Sequence, residues 1–363
     1  MTAKARRKQS DAPPPPREPV RRLRAYVPGE QPADRGIIKL NTNEFPYPPA
    51  AEVIEAVRRE AAASLRLYPN PTAAPLREAL AEELSVGPDW ILVGNGSDEI
   101  LRLVFQAYVG PGDRVAAADP TYSLYPVLAA MFEGRFAAHR TDPEGALPEA
   151  LFKARARLFV IANPNPPLGA LYSIRDLARL AQKRNSLLLI DEAYVAFAPC
   201  DCLSLAREHP NVVILRTFSK SHALAGMRVA YAVGRPAAIA SLNKIRDSYN
   251  VNRVSQAAAL AALRAKKYYK RKAEEIVATR ERLRRALREM GYRVPRSSGN
   301  FVFARSGDGR RMMESLRERR ILVRHFDEPG LRDGTRITIG TPQETDQLLA
   351  ALRQIPAPQE AKP

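Results

Sequence analysis

Lys220 lies among residues whose types could bind an aldehyde that carries a phosphate group. Ser219 precedes the lysine, and Arg228 follows it eight residues later. The amine can form a Schiff base with the aldehyde, while the hydroxyl and the guanidinium neutralise the phosphate. Asp191 comes directly after the apolar run Leu187–Ile190, where a carboxylate could pair with a pyridinium nitrogen. This ordered set predicts a site for pyridoxal phosphate, although a Ser-Lys pair alone is more often a solvated loop.

A glycine-rich segment carries further candidate ligands for such a cofactor. Gly96, Ser97 and Asp98 follow the apolar run Trp90–Val93 and begin a predicted helix. The free N–H groups of a helix N-terminus can bind a phosphate. A simple strand-to-helix turn, with Ser97 or Asp98 as its N-cap, accounts for the segment equally well.

Two proline-containing loops add an amide and an aromatic ring. The prolines of Asn163–Gly169 make a rigid loop that could hold the side chain of Asn165 in place. Asp119–Tyr122 follows another apolar run and could place the ring of Tyr122 over a planar cofactor.

The middle of the chain alternates apolar runs of strand length with helical stretches. The runs are Trp90–Val93, Arg114–Ala117, Leu158–Ile161, Leu187–Ile190 and Val212–Leu215, and the helical stretches include Ala51–Ala63, Ser97–Tyr108 and Ile174–Arg184. This alternation predicts an α/β fold with a mostly parallel sheet flanked by helices. Sites in such sheets form at the carboxyl ends of the strands, which is where the candidate residues fall.

After about Tyr249 the pattern changes to long helices followed by short strands, predicted over Phe301–Ala304, Ile321–Arg324 and Arg336–Ile339. It predicts a smaller α+β C-terminal domain, which the segment before about residue 45 could complete. The expected organisation is a disordered, basic and proline-rich tail (1–25), an N-terminal arm (26–50), a large cofactor-binding domain (51–250), a small domain (251–356) and a flexible C-terminus (357–363).

The formal net charge of +18 invites the hypothesis of nucleic-acid binding. However, one group of basic residues lies in the tail, and another lies in the helical stretch Lys266–Arg288, where glutamates alternate with them as on a solvated helix face. The sequence contains no recognition-helix, zinc-finger or RNA-binding signature. We therefore expect no dedicated nucleic-acid partner.

Cysteine usage and hydropathy predict a cytoplasmic location. The two cysteines, Cys200 and Cys202, are too few for a disulfide framework, and no further Cys or His stands near enough for a metal site. The basic tail lacks the apolar stretch of a secretory signal, and no apolar run is long enough to span a bilayer. We expect no metal and no membrane partner.

From about Tyr26 to Arg353 the chain resembles the fold-type I pyridoxal-phosphate-dependent aminotransferases. The resemblance is carried by Leu40–Pro46, by Tyr68-Pro69 and by the segments described above. It implies that the hydroxyl of Tyr68 reaches the cofactor phosphate of a neighbouring subunit in a homodimer with shared active sites. The implied roles are the phosphate site (Gly96, Ser97, Asp98, Ser219 and Arg228), ring stacking (Tyr122), the hydrogen bonds to ring oxygen O3′ (Asn165 and Tyr194), the pyridinium partner (Asp191) and the Schiff base (Lys220).

Within this family the chain is most similar to enzymes of histidine biosynthesis that transfer the amino group of histidinol phosphate to 2-oxoglutarate. The resemblance implies that Arg324 and Arg336 bind the anions of both substrates, together with Tyr26 and Asn43. Taken singly, each arginine would more often form a surface ion pair. An aromatic amino-acid aminotransferase or a threonine-phosphate decarboxylase would use the same scaffold. A regulator that senses the cofactor would need a DNA-binding domain, for which the short tail has no room.

The chain departs from the usual family pattern near the substrate pocket. The common Asn-Pro-Asn-Asn-Pro-Thr-Gly loop here has Pro166 and Leu168 in place of Asn and Thr. His222, Ala223 and Ala230 stand where an aromatic residue, glycine and glycine are common. We expect Asn165 and Lys220 to keep their roles and His222 to pack rather than to line the pocket, while substrate selectivity stays open.

Overall fold

The computed structural model describes residues 14–355, apart from residues 24, 27, 35 and 143. Strand β1 (Ile38–Lys39) lies in the N-terminal arm, and the strands after it build one seven-stranded sheet. In chain order they are β2 (Ile91–Gly94), β3 (Arg114–Asp119), β4 (Arg135–Arg140), β5 (Leu158–Ala162), β6 (Leu187–Asp191), β7 (Val212–Thr217) and β8 (Ala230–Gly234). Within the sheet the order is β2-β8-β7-β6-β5-β3-β4.

Most of this sheet is parallel. Parallel pairings join β4, β3, β5, β6 and β7, whereas β8 runs antiparallel to its neighbours β2 and β7. Every residue of β5 and β6 is buried, and adjacent residues such as Leu189 and Ile190 belong to hydrophobic clusters on opposite faces. Strands buried on both faces read as continuous apolar runs, which is why the sequence predicts them well.

Helices cover both faces of the sheet, so the predicted fold class is confirmed. Those in the described residues are α1 (Glu18–Arg22), α2 (Ala51–Glu60), α3 (Ala74–Leu84), α4 (Ser97–Tyr108), α5 (Leu124–Met131), α6 (Glu149–Lys153), α7 (Ile174–Ala181), α8 (Leu203–Glu208), α9 (Phe218–Ser221), α10 (Pro236–Asn243), α11 (Arg253–Arg264), α12 (Lys266–Glu289), α13 (Gly309–Glu318) and α14 (Pro342–Leu352). Short 3-10 helices span Ala63–Arg66, Pro88–Trp90, Val195–Phe197 and Ala225–Met227. Helices α4, α5 and α10 pack on one face, and α7 and α8 pack on the other.

The C-terminal part contains four short strands, β9 (Phe301–Arg305), β10 (Ile321–Leu322), β11 (Arg324–His325) and β12 (Gly334–Thr338). They form an antiparallel sheet of order β11-β12-β9, while β10 pairs in parallel with β1. The backbone N–H of Thr338 also donates to the carbonyl oxygen of Leu40. The N-terminal arm therefore completes the smaller α+β part, as the sequence suggests.

The structure differs from the predicted elements at three places. Strand β4 is not predicted, because it lies at the sheet edge, is only partly buried and contains arginine and histidine. Strand β8 is not predicted either, because two of its five residues are alanine and one is glycine, which are not typical of strands. The single strand predicted over Ile321–Arg324 is divided at Val323 between β10 and β11, which pair with different strands.

The predicted terminal segments fall largely outside the described residues. Residues 1–13 of the tail and all of 357–363 belong to the part that is not described, and α1 lies within the remainder of the tail. Across the described helices, none is both long enough and apolar enough to cross a membrane.

Close backbone contact between α13 and β12 generates a prediction about stability. A Cβ atom on Gly309 would lie 2.2 Å from the carbonyl oxygen of Gly334. Because overpacking a buried contact typically costs about 1–3 kcal/mol, Gly309→Ala should lower the free energy of unfolding by that amount. Gly110→Ala is the matched control, since its Cβ would meet only the Asp113 carboxylate at 3.6 Å. Urea denaturation of both variants measures the difference, and equal midpoints would contradict the prediction.

Candidate active site

A cavity of about 720 Å³ lies at the carboxyl ends of β2, β3, β5, β6 and β7. These ends meet at one edge of the sheet because the strands share one direction, which brings residues distant in sequence together. Most residues predicted for the site line this cavity: Tyr26, Asn43, Ser97, Asp98, Tyr122, Asp191, Tyr194, Ser219, Lys220, Arg228, Arg324 and Arg336.

Lys220 lies on the one-turn helix α9, which begins directly after β7. The hydroxyl of Thr217 caps this turn by accepting a hydrogen bond of 3.1 Å from the Ser219 backbone N–H. The Lys220 amine donates to the carbonyl oxygen of Thr42 at 2.8 Å. Burial of the ammonium group, followed by the nearby charge of Arg336, lowers the pKa of Lys220 to about 8. The fraction of neutral amine near neutral pH is therefore far larger than for an ordinary lysine.

Asp191 is the last residue of β6, and its carboxylate is buried. Its Oδ2 accepts a hydrogen bond of 2.8 Å from the hydroxyl of Tyr125, and its Oδ1 accepts one of 3.1 Å from the Ala193 backbone N–H. Burial raises the pKa of Asp191 to about 6, and these two hydrogen bonds act in the opposite direction. The carboxylate is thus mainly ionised at neutral pH and can pair with a cationic ring nitrogen.

An ion pair on the other face of the sheet ties the ends of β6 and β7 together. Arg216 Nε donates to Glu192 Oε2 at 2.7 Å, and the Glu192 side chain is fully buried. The backbone N–H of Cys202 donates to the second Glu192 oxygen at 2.5 Å. Glu192 directly follows Asp191, and Arg216 precedes Lys220 by four residues, so the pair lies next to both site residues.

The glycine-rich turn before α4 forms the surroundings of a phosphate site. Gly96 has a φ of 80°, and a Cβ atom there would lie 2.4 Å from Arg228 Nη2, so only glycine fits. Arg228 Nη1 donates to the Ser219 hydroxyl at 3.5 Å, and Arg228 Nη2 lies 3.6 Å from the Asp98 carboxylate. A helix N-terminus, a guanidinium and a hydroxyl therefore meet at one place, as phosphate binding requires.

Two tyrosines from different elements form an aromatic wall. Tyr122 contacts Tyr26 of the arm edge-on at 5.8 Å between ring centroids, and its hydroxyl donates to Asp98 at 3.3 Å.

The Tyr194 hydroxyl accepts a hydrogen bond of 2.9 Å from Asn43 Nδ2. Its own hydrogen can therefore be donated into the cavity, whereas the amide of Asn43 supports Tyr194.

Asn165 is not brought into the cavity. Its side-chain Nδ2 donates to the carbonyl oxygen of Pro120 at 2.8 Å and to the Tyr172 hydroxyl at 2.9 Å. Both amide hydrogens are thus engaged within the protein, which does not favour the predicted bond to O3′. Pro166 and Pro167, which lack an N–H, line the cavity at this position.

Arg324 and Arg336 occupy directly opposite positions on the antiparallel strands β11 and β12. Arg336 Nη2 donates to the Asn41 carbonyl oxygen at 2.9 Å, and Arg336 Nε is buried without a hydrogen-bond partner among the described residues. Burial lowers the pKa of Arg336, and the charge of Arg324 adds to this effect. Like charges opposite each other destabilise a sheet, so an anion in the cavity would relieve their repulsion.

Tyr68 and His222 also lie away from the cavity. Tyr68 is 77% exposed and stacks on Tyr249 with ring centroids 4.5 Å apart. His222 packs between Phe218 and Tyr269, with ring centroids 4.8 Å from each, and burial lowers its pKa to about 4. His222 therefore packs against other rings and does not line the cavity, as expected from the sequence.

Sequence reasoning missed two residues that hold the site together. Thr42 lies between Asn41 and Asn43 of the predicted signature, yet it acts through a backbone carbonyl that no side-chain pattern indicates. Tyr125 lies three residues after Tyr122, which places both tyrosines on the same side of the start of α5. That spacing is the one signal that could have identified Tyr125.

The cavity fits pyridoxal phosphate. Arg228, Ser219 and the N-terminus of α4 offer donors for a phosphate, and the Asp191 carboxylate offers an acceptor for a protonated ring nitrogen. The Lys220 amine lies in the same cavity. A neutral amine and a buried carboxylate together favour chemistry at a carbonyl group conjugated to a cationic ring.

Comparison with known proteins agrees with this geometry. Residues 35–352 match the aminotransferase class I and II family. The chain is 45% identical over 346 residues to the histidinol-phosphate aminotransferase of Geobacter sp. (strain M21), an alignment that covers 93% of this chain and 98% of that protein. It is 42% identical over 342 residues to the enzyme of the same name from Chromohalobacter salexigens, with coverages of 93% and 97%.

A solved structure supports the same relationship. The crystal structure of histidinol-phosphate aminotransferase from Sinorhizobium meliloti in complex with pyridoxal-5′-phosphate superposes with a TM-score of 0.79 at 30% identity. The superposition covers 87% of this chain and 89% of that one. The chain therefore belongs to the class I and II aminotransferases, which confirms the predicted family, its amino-transfer activity and its pyridoxal phosphate cofactor.

Proposed function

We propose that the protein transfers the amino group of histidinol phosphate to 2-oxoglutarate, giving imidazole acetol phosphate and glutamate in histidine biosynthesis. The observation that carries this proposal is the pair Arg324 and Arg336, which lie opposite each other in the wall of the cavity that contains Lys220. The relatives named histidinol-phosphate aminotransferase, at 45% and 42% identity, support it.

Both substrates carry an anion away from the reacting centre. Histidinol phosphate has a phosphate and lacks a carboxylate, whereas glutamate has two carboxylates. A guanidinium binds phosphate and carboxylate with similar geometry, so one arginine pair can serve both half-reactions. Tyr26 lies at the same end of the cavity and offers a hydroxyl to the phosphate.

The cofactor would be held by residues described above. Ser97, Asp98, Ser219 and Arg228 would surround its phosphate, Tyr122 would stack on its ring, and Asp191 would pair with its ring nitrogen. When bound, pyridoxal phosphate supplies the carbonyl carbon that exchanges amino groups and the ring that withdraws electrons. Tyr194 is the better placed donor to ring oxygen O3′, because the hydrogens of the Asn165 amide are donated elsewhere.

Lys220 has two tasks in this reaction. Its Nζ would hold the cofactor covalently in the absence of substrate, and the free amine would accept a proton from the substrate carbon that bears the amino group. A pKa of about 8 suits this second task, since the amine must be neutral to accept a proton near neutral pH.

Two alternatives use the same scaffold, namely an aromatic amino-acid aminotransferase and a threonine-phosphate decarboxylase. Neither is favoured by the named relatives. An aromatic substrate would depend little on Arg324, because its side chain carries no anion.

We also infer a cytoplasmic location, which the two free thiols of Cys200 and Cys202 support.

We infer a homodimer in which each subunit completes the site of its partner. Tyr68 lies outside its own cavity and is exposed together with the neighbouring Leu65, Leu67 and Tyr249. Its backbone is held by Arg253 Nη2, which donates to the Tyr68 carbonyl oxygen at 2.8 Å. Large apolar side chains grouped on a surface are typical of an interface between subunits.

The proposed substrate predicts a specific pattern of turnover. With 2-oxoglutarate as acceptor, histidinol phosphate should exceed phenylalanine, tyrosine and threonine phosphate as donor. Arg336→Gln should slow both half-reactions by roughly ten- to a hundredfold, because a charge-assisted contact contributes about 1.5–3 kcal/mol. Tyr26→Phe should affect histidinol phosphate more than glutamate. Stopped-flow absorbance of each half-reaction measures these effects.

Arg332→Gln is the matched control, since Arg332 is exposed and does not line the cavity. It should leave both rates unchanged. If phenylalanine proves as good a donor as histidinol phosphate, the substrate assignment fails while the aminotransferase family stands.

Shared active sites predict complementation between two inactive subunits. A heterodimer of Lys220→Ala and Tyr68→Phe chains should contain one site with both lesions and one intact site. Its activity should therefore exceed that of either homodimer. Co-expression with two affinity tags yields the heterodimer for assay. A heterodimer of Lys220→Ala with Asp191→Asn is the control, because each lesion then disables a different site and no recovery is expected. A monomer in light scattering would contradict the proposal.

The lowered pKa of Lys220 predicts a pH-dependent effect on stability. Between its folded pKa of about 8 and its ordinary value of 10.5, the folded chain binds fewer protons than the unfolded chain, so stability rises with pH there. Below pH 8 the amine is protonated in both the folded and the unfolded chain, so folding carries the full free-energy cost of burying the ammonium group. In the cofactor-free protein, Lys220→Met should therefore raise the thermal midpoint at pH 7, and the gain should shrink by pH 10. The exposed Lys244→Met is the control, for which no such gain is expected.

A further inference from the structure

The hydroxyl of Tyr125 is fully buried beneath the active-site cavity. A buried hydroxyl needs a hydrogen-bond partner, and the partner here is Asp191 Oδ2 at 2.8 Å. Tyr125 itself does not line the cavity, so it touches neither substrate nor cofactor. Its hydroxyl is linked to the site through Asp191.

The position of Tyr125 is fixed from several directions. Its backbone N–H donates to the Tyr122 carbonyl oxygen at 3.2 Å at the start of α5. Its ring meets the Tyr122 ring edge-on, with centroids 5.5 Å apart. The same turn of chain therefore supports the aromatic wall of the cavity and the carboxylate at its base.

The carboxylate of Asp191 has acceptor capacity left for a further donor. Each oxygen accepts one hydrogen bond from the protein, from Tyr125 and from the Ala193 N–H, and each carries a second lone pair. The two bonds together determine the plane of the carboxylate. A ring N–H in the cavity then meets a carboxylate whose orientation is already set.

We propose that Tyr125 is the positioning residue for Asp191, and that its hydroxyl orients the carboxylate and keeps it charged for the ring nitrogen of pyridoxal phosphate. The inference rests on the proposed pairing of Asp191 with that nitrogen. It concerns binding of the cofactor and is independent of which amine is the donor.

The surrounding charges make this hydrogen bond necessary. Besides Tyr125, the titratable groups that face Asp191 are Asp98 of α4, the adjacent Glu192 and the hydroxyl of Tyr194. Burial and the two carboxylates all raise the pKa of Asp191, whereas the bond from Tyr125 is the first of the effects that lower it. Without the hydroxyl, a larger fraction of Asp191 would be protonated at neutral pH and could not accept from the ring.

Tyr125→Phe tests the proposal because it removes one oxygen atom and keeps the ring. The cofactor affinity of this variant, measured by equilibrium dialysis with absorbance detection, should fall roughly ten- to a hundredfold at pH 7. The deficit should shrink toward pH 8.5, where Asp191 is ionised again. In a plot of cofactor affinity against pH, the loss of affinity on the acidic side should therefore occur at a higher pH in this variant than in the parent protein.

Two further variants separate positioning from a plain structural role. In the Asp191→Asn background, Tyr125→Phe should cause no further loss of affinity, because the hydroxyl acts through the carboxylate. Tyr172→Phe removes another buried hydroxyl, one that contacts Asn165 and not Asp191, and should leave the pH profile in place. Thermal unfolding of each variant checks the fold.

A loss of affinity that is equal at every pH, or one that persists in the Asp191→Asn background, would overturn the role of Tyr125. Such a result would leave cofactor binding by the parent protein intact, and with it the proposed function. Failure of the parent to bind pyridoxal phosphate would instead overturn both proposals. Turnover with histidinol phosphate is not used in this test, so a different amino donor would not alter its outcome.

Discussion

The buried ion pair between Glu192 and Arg216 is the interaction on which the active site depends. It joins the carboxyl ends of β6 and β7 on one face of the sheet, while Asp191 and Lys220 reach the cavity from the same strand ends. Removing one partner of a buried pair leaves an uncompensated charge and typically costs about 3–5 kcal/mol. The ion pair therefore reinforces the backbone pairing of β6 and β7, from whose ends Asp191 and Lys220 enter the cavity.

The cavity above this pair contains charges that the protein balances only in part. Arg228 lies against Asp98, whereas Arg324 and Arg336 face each other across two strands. The charges of Arg336 and Arg228 contribute to the lowered pKa of Lys220, and the arginines of the cavity also attract phosphate and carboxylate groups. One electrostatic arrangement thus keeps the amine reactive and binds the anions of both substrates, at some cost in stability.

Much of the fold could be predicted because its central strands are buried on both faces. The runs Leu158–Ile161 and Leu187–Ile190 are continuous apolar segments, and the loops after them carry the polar residues. The edge strand β4 and the strand β8 are not predicted in this way, since the partial burial of β4 and the small side chains of β8 leave no clear pattern. Asn165 shows a similar limit for the site, because its position in a motif does not reveal that its amide donates to Pro120 of another loop and to the hydroxyl of Tyr172.

The amino-acid sequence by itself determined the type of chemistry, since Asp191 and Lys220 follow predicted strands whose carboxyl ends meet at one edge of a parallel sheet. The tertiary structure alone decided which groups surround them. The hydroxyl of Tyr125 on Asp191 and the carbonyl of Thr42 on Lys220 join residues 66 and 178 positions apart. Such contacts depend on packing between elements and on backbone atoms common to every residue, so the sequence alone does not show which two groups they join.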